Sequence, residues 1–72
     1  MYIGINVFNI KNYDRVSNFV VKQLQGKRQH MPQLSNYCYY SVNKIDSEDI
    51  TVLNYYINNK IADIKILEYV IL

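Results

Sequence analysis

The 72-residue sequence holds one cysteine and one histidine, Cys38 and His30, the two ingredients of a thiol nucleophile and its base. Cys38 alternates in phase with Leu34, Tyr40 and Val42, the position of a small buried hydrophobe. His30 sits in a basic segment near Pro32, where an exposed polar role suffices, and spacing marks no Asp or Asn as a third member. Two Cys/His side chains also fall short of the four ligands of structural zinc, so no complete single-chain site of that kind can form. Asp46, Glu48 and Asp49 are the one acidic cluster, a set suited to acid–base or Mg²⁺ chemistry. They also open a helical segment, where carboxylates complement unpaired N–H groups and the helix dipole, and that explains them without catalysis. Asp14 and Asp63 stand outside any motif, and Gly4 and Gly26 are too isolated to build a phosphate-cradling loop. The expectation is a protein that is not an enzyme and needs neither cofactor nor metal.

Eight tyrosines in so short a chain, with no tryptophan and two phenylalanines, are the larger departure from ordinary composition. Tyr40 and Tyr69 alternate with core positions. Tyr37 and Tyr39 share the opposite face with Ser35 and Ser41, and Tyr55 and Tyr56 flank the inward stripe of a helix. Tyrosine joins an apolar body to a polar tip and is enriched at the centres of recognition surfaces. The first expectation is therefore a protein contact set made of Tyr37, Tyr39, Tyr55, Tyr56, Lys27, Arg28 and His30, directed at a second copy of the chain or a host protein. The alternative is single-stranded nucleic acid, with Tyr37 and Tyr39 stacking on bases while Lys11, Lys22, Lys27 and Arg28 meet phosphates. That alternative needs an uncovered sheet face, and four strands are expected where three can be read. The segment Asn36-Tyr37-Cys38-Tyr39-Tyr40 also lacks the basic and glycine positions of the ribonucleoprotein motif.

The elements that must position these residues follow from periodicity. Residues 2–8 alternate, with Ile3, Ile5 and Val7 on one side, as a β-strand does. Residues 13–25 carry Val16, Phe19, Val20 and Leu24 at helical spacing, with Asn12 as a cap and Gly26 as a stop. Residues 27–33 contain the one proline and read as a loop, and 34–43 as a second strand. A second helix over about 47–60, capped by Asp46 or Ser47, turns Ile50, Leu53, Ile57 and Ile61 inward. Residues 63–72 read as a third strand, apolar on both faces over its last half, which predicts a central place in the sheet with helices on opposite sides. Short linkers on both sides of the second helix make the second and third strands parallel. The first strand can run either way, with parallel preferred, so the sequence predicts one α/β (or α+β) domain over 1–72, βαβαβ, with a three-stranded, mostly parallel sheet and two helices.

A chain of this size buries only about 60% of its unfolded surface, so a monomer is marginal and association would help it. A homo-oligomer is the expectation. One cysteine allows no internal disulfide, which suggests a reducing compartment, and neither a leader pattern nor a membrane span is legible, so a soluble cytoplasmic protein is expected. The net charge of +2 is too small to announce nucleic acid, but it divides into +4 over residues 1–36 and −2 over 37–72, which predicts faces of opposite sign. Abundant Ile, Asn, Tyr and Lys point to an A/T-rich gene, as in phages and other mobile elements. A small inhibitor of a host enzyme, such as an anti-restriction or anti-CRISPR factor, is one form of the protein-binding reading.

Overall fold

The computed structural model describes residues 1–8, 10–29 and 36–68 and, at residues 10 and 11, the backbone alone. His30, Leu34, Ser35 and Tyr69, together with the other residues of 69–72, lie outside the described residues. The elements run β1 (Tyr2–Asn6), α1 (Ile10–Gln23), β2 (Lys27–Gln29), β3 (Tyr37–Ser41), α2 (Ser47–Asn58) and β4 (Ile64–Leu67). The sheet has the order β2-β3-β1-β4 with every neighbouring pair antiparallel. This is the connectivity of two interleaved split βαβ units, the ferredoxin-like arrangement.

The predicted three-stranded, mostly parallel βαβαβ sheet is thereby overturned. The short linkers around α2 do set β3 and β4 running the same way, since both are antiparallel to β1. They do not make the two strands neighbours, because β1 lies between them. β1 is therefore central where an edge was expected, and β4 is an edge where the centre was expected. Lys27–Gln29, expected in a loop, adds a short fourth strand on the far side of β3.

Paired residues of neighbouring strands share a face, so the register sorts the side chains. Ile3 pairs with Tyr40 and Ile66, and Ile5 with Cys38 and Ile64, which puts these on one side. Val16, Val20 and Leu24 of α1 and Leu53 of α2 join that same cluster, with Tyr13, Phe19, Tyr56 and Ile57 packed against it. Both helices thus cover one face, not opposite faces. Ile3, Ile5, Val16, Val20 and Leu53 are fully buried, a contribution of about 1.5–3 kcal/mol for each large aliphatic side chain.

The helix ends show how sequence sets local geometry. α1 begins at Ile10, so Asn12 lies inside its first turn and is not the cap; its side-chain amide donates to the Ile61 carbonyl beyond α2. The left-handed residue after α1 is Gln25 at φ 54°, and Gly26 follows because a Cβ there would sit 2.7 Å from Val20 Cγ1. Asp46 precedes α2 with extended backbone and no side-chain capping bond, while Glu48 and Asp49 occupy the first turn. α2 closes with Lys60 at φ 56°, its N–H donating to Ile57 O at 3.1 Å and that of Ile61 to Tyr56 O at 2.9 Å, a Schellman ending.

The face without helices is closed by a different device. Gly4 pairs with Tyr39, and the Tyr39 ring lies so close that a Cβ on Gly4 would approach its Cε1 to 2.6 Å. Tyr39 is only 6% exposed although both helices of the described residues pack on the opposite face. Glycine inside a strand costs conformational entropy and leaves a gap, and an aromatic ring laid across it fills that gap. Gly4→Ala is expected to destabilise the fold by about 1–3 kcal/mol through overpacking, and by far less in a Tyr39→Ala background. Urea unfolding of the four proteins of this double-mutant cycle checks it, and an equal cost in both backgrounds would deny the contact.

Candidate functional site

The residues expected to form one contact set are divided between the two layers. Tyr37 and Tyr39 stand on the open sheet face with Tyr2, Gly4, Asn6, Gln29, Ser41, Lys65 and Leu67, as the register requires. Lys27 pairs with Ser41 and joins them at the β2 edge. Arg28 pairs with Tyr40, so it belongs to the helix-bearing side of that edge, where its guanidinium reaches Cys38 Sγ at 3.5 Å. Tyr55 and Tyr56 are on α2 in the other layer, Tyr55 being 58% exposed and Tyr56 half-buried, with their rings edge to face at 5.9 Å. Lys22, in the last turn of α1, is exposed and remote from the sheet tyrosines in the fold's layering. Lys11 is described in its backbone only, and His30 not at all.

On the open face the tyrosines are engaged by their own neighbours. The Tyr37 hydroxyl donates to Asp63 Oδ2, which also accepts from Asn6 Nδ2 at 3.2 Å. Lys65 Nζ stands 4.4 Å from the Tyr37 ring centroid, a cation–π contact, and the Tyr39 ring centroid lies 6.2 Å from that of Tyr37. Gln29 Nε2 donates to Ser41 Oγ at 3.1 Å toward β2. The hydrogen bond to Asp63 raises the Tyr37 phenol above its usual range. The same bond, assisted by Asn6 and Lys65, outweighs desolvation and holds the Asp63 carboxyl below the usual carboxylate range.

On the helix-bearing side, Tyr13 and Tyr40 share a hydroxyl–hydroxyl bond of 2.7 Å. Burial, then the bonds to Tyr40 and Cys38, push the Tyr13 phenol far up. Cys38 is half-buried against the core cluster. Asp46, Glu48 and Asp49 sit at and after the start of α2, and Asp46 is 3.7 Å from Lys44 in an exposed pair of little energetic weight. Among the described residues no three of His, Cys, Asp and Glu gather into a group that could hold a metal ion.

The exposed apolar surface lies elsewhere. Phe8, two residues past the end of β1, is 75% exposed, and its N–H is fixed by Asn6 Oδ1 at 2.9 Å. It stands at the rim of an open cleft of about 430 Å³ at the end of the domain where β1, α1, α2 and β4 meet. Tyr13, Ile57, Ile61, Ala62 and Ile64 supply apolar wall, and Asn6, Lys60 and Asp63 the polar rim. The volume is at the small end of the roughly 300–1,000 Å³ usual for ligand pockets, enough to take one large side chain and its neighbours. Sequence reasoning missed this end. Phe8 read as part of a strand and the aromatic core, and Asp63 as an aspartate without a motif.

Comparison with family models, with curated proteins and with solved structures finds no match. Among the described residues no helix is long and apolar enough to cross a membrane.

The Tyr37–Asp63 bond has a pH signature. Because the folded Asp63 carboxyl is lowered, its stabilising effect is present above the unfolded carboxyl pKa of about 4 and is lost as pH falls through the folded value. Because Tyr37 is raised, its effect is present below about 10 and is lost as pH rises through its own folded value. Asp63→Asn is expected to bring one tyrosine ionisation down in a titration followed at the phenolate absorbance, while the still higher Tyr13 stays in place. An unchanged alkaline limb would mean that Asp63 does not hold Tyr37.

Proposed function

We propose that the chain is a small non-catalytic protein-binding module whose contact surface is centred on Phe8 and the adjoining cleft. One observation carries this reading: a phenylalanine three-quarters exposed beside an apolar cleft that is rimmed by one cation and one carboxylate. Exposing a large aromatic next to an unfilled apolar recess costs stability in a chain that has little to spare, and a partner side chain in the recess recovers it. Aromatic anchors seated in such recesses are where binding energy concentrates. Tyr55, exposed on α2, extends the apolar surface available to a partner. Tyr37 and Tyr39 are scaffold in this reading, because their rings and the Tyr37 hydroxyl are already occupied.

The partner's biological setting is proposed from composition: a cytoplasmic host protein bound and blocked by the product of a mobile element, in the manner of an anti-restriction or anti-CRISPR factor. A second reading has its own observation. Neither helix among the described residues lies on the open sheet face, and the sheet has the fourth strand that a base-stacking platform uses, with Lys27 and Lys65 on the same face as Tyr2 and Tyr37. Against it, Tyr39 has almost no free surface and Lys65 already caps Tyr37.

Selection of a random peptide library on the immobilised protein separates the two. Bound peptides are expected to share an aromatic or aliphatic anchor, and Phe8→Ala is expected to weaken them about tenfold or more while Tyr37→Ala leaves them within a few fold. Peptide binding that ignores Phe8 would contradict the proposal. Binding of a fluorescent oligonucleotide that weakens steeply with salt and with Tyr37→Ala would favour the second reading instead.

A further inference from the structure

We propose that a second copy of this chain occupies the cleft: two protomers meet about a twofold axis, each inserting Phe8 into the other's recess, with Lys60 of one facing Asp63 of the partner subunit. This rests on the protein-binding reading above and names the partner.

A twofold contact is made by one patch with itself, so the patch must hold both a projection and a matching recess. This end of the domain holds both. Phe8, 75% exposed, lines one side of a cleft that Tyr13, Ile57 and Ile61 also line, so its ring is free to meet a partner while the cleft beside it is free to receive one. The patch is self-complementary in charge too. Lys60 and Asp63 line the same cleft, and a twofold axis that passes between them brings each against the other's counterpart and not against itself.

Asp63 is prepared for this. Both internal hydrogen bonds, from Tyr37 and Asn6, fall on Oδ2, and Oδ1 takes none among the described residues. The carboxyl is held below its usual range, so it is a fixed anion at neutral pH. Lys60, at φ 56°, is anchored by its backbone to Ile57, which fixes where its side chain leaves the chain. Phe8 is positioned equally firmly, through its N–H on Asn6 Oδ1 and the Val7 N–H on Asn36 O at 2.9 Å. The Asp63 carboxylate and the backbone that carries Phe8 and Lys60 are therefore set before contact, which lowers the entropic cost of association.

Sedimentation velocity from micromolar to near-millimolar concentration tests the proposal on the full chain. The wild type is expected to pass from monomer to dimer, and Phe8→Ala to weaken the dimer about 30-fold. Lys60→Asp alone and Asp63→Lys alone are expected to be monomeric, since each sets like charges against each other, and their equimolar mixture to form a heterodimer with both pairs restored. Asp is compatible with the positive φ at position 60, and circular dichroism checks that each variant is folded. A wild-type dimer that Phe8→Ala does not weaken, or a mixture that stays monomeric, overturns the twofold contact. A wild type that is monomeric throughout yet binds peptides through Phe8 overturns the identity of the partner and leaves the protein-binding reading standing.

Discussion

The contact between Tyr39 and Gly4 at the middle of the sheet is the constraint on which the rest of the structure depends. Among the described residues two helices and four short strands make two layers, with both helices on one sheet face. A bare face would leave the central β1–β3 pairing exposed to water on one side. The ring of Tyr39 lying across Gly4 covers the backbone there, at the 6% exposure of a core residue. Tyr37 is then held beside it by Lys65 and Asp63, and Gln29 closes the β2 side through Ser41. The uncovered face becomes a satisfied polar–aromatic layer.

That closure decides where a partner can gain. Binding energy comes from surface that is still wet and apolar, and among the described residues the large exposed apolar side chains are Met1, Phe8, Val21, Val52 and Tyr55. None of them belongs to the Tyr37–Tyr39 layer. Phe8 stands out because it adjoins a recess and is carried on a loop tied to both neighbouring strands: Asn6 N–H reaches Asp63 O at 3.0 Å, and Val7 N–H reaches Asn36 O. The polar network around Asp63 therefore has two roles, locking the end of the open face and presenting a charge at the mouth of the cleft. Connectivity contributes nothing to this conclusion, since the same split βαβ topology serves unrelated activities.

Much of the local structure was legible in the sequence, and the failures have physical causes. The 3.6-residue spacing of Val16, Val20 and Leu24, and the place of Leu53 among its neighbours, identified both helices and their buried residues. Alternation separated Ile3, Ile5 and Tyr40 from Tyr37 and Tyr39. Linker length gave the relative direction of β3 and β4, but direction does not imply adjacency, and nothing local in the sequence says that β1 inserts between them. β2 was invisible because a three-residue polar edge strand, Lys27–Gln29, has no apolar alternation to announce it. Of the residues expected as one contact set, Tyr37, Tyr39 and Lys27 lie on the open sheet face, Arg28 on the other side of the sheet and Tyr55 and Tyr56 on α2, a division that residue type alone does not reveal. The feature that could have separated Tyr39 was Gly4, a strand glycine needing a ring to cover it. Phe8 could have been separated by its phase, which is opposite to that of Ile3 and Ile5, had the end of the strand at Asn6 been legible.

Phe8 and Tyr55, and not the sheet pair Tyr37 and Tyr39, offer a free ring to a partner. Hydroxyl-radical footprinting with residue-level mass spectrometry reads that directly, because oxidation rate follows ring exposure. The dilute protein should oxidise rapidly at Phe8 and slowly at Tyr39, and association at high concentration or with a selected peptide should slow Phe8 while leaving Tyr37 and Tyr39 unchanged. Rapid oxidation of Tyr39 in the dilute protein, or protection that falls on Tyr37 and Tyr39 and spares Phe8, would contradict it.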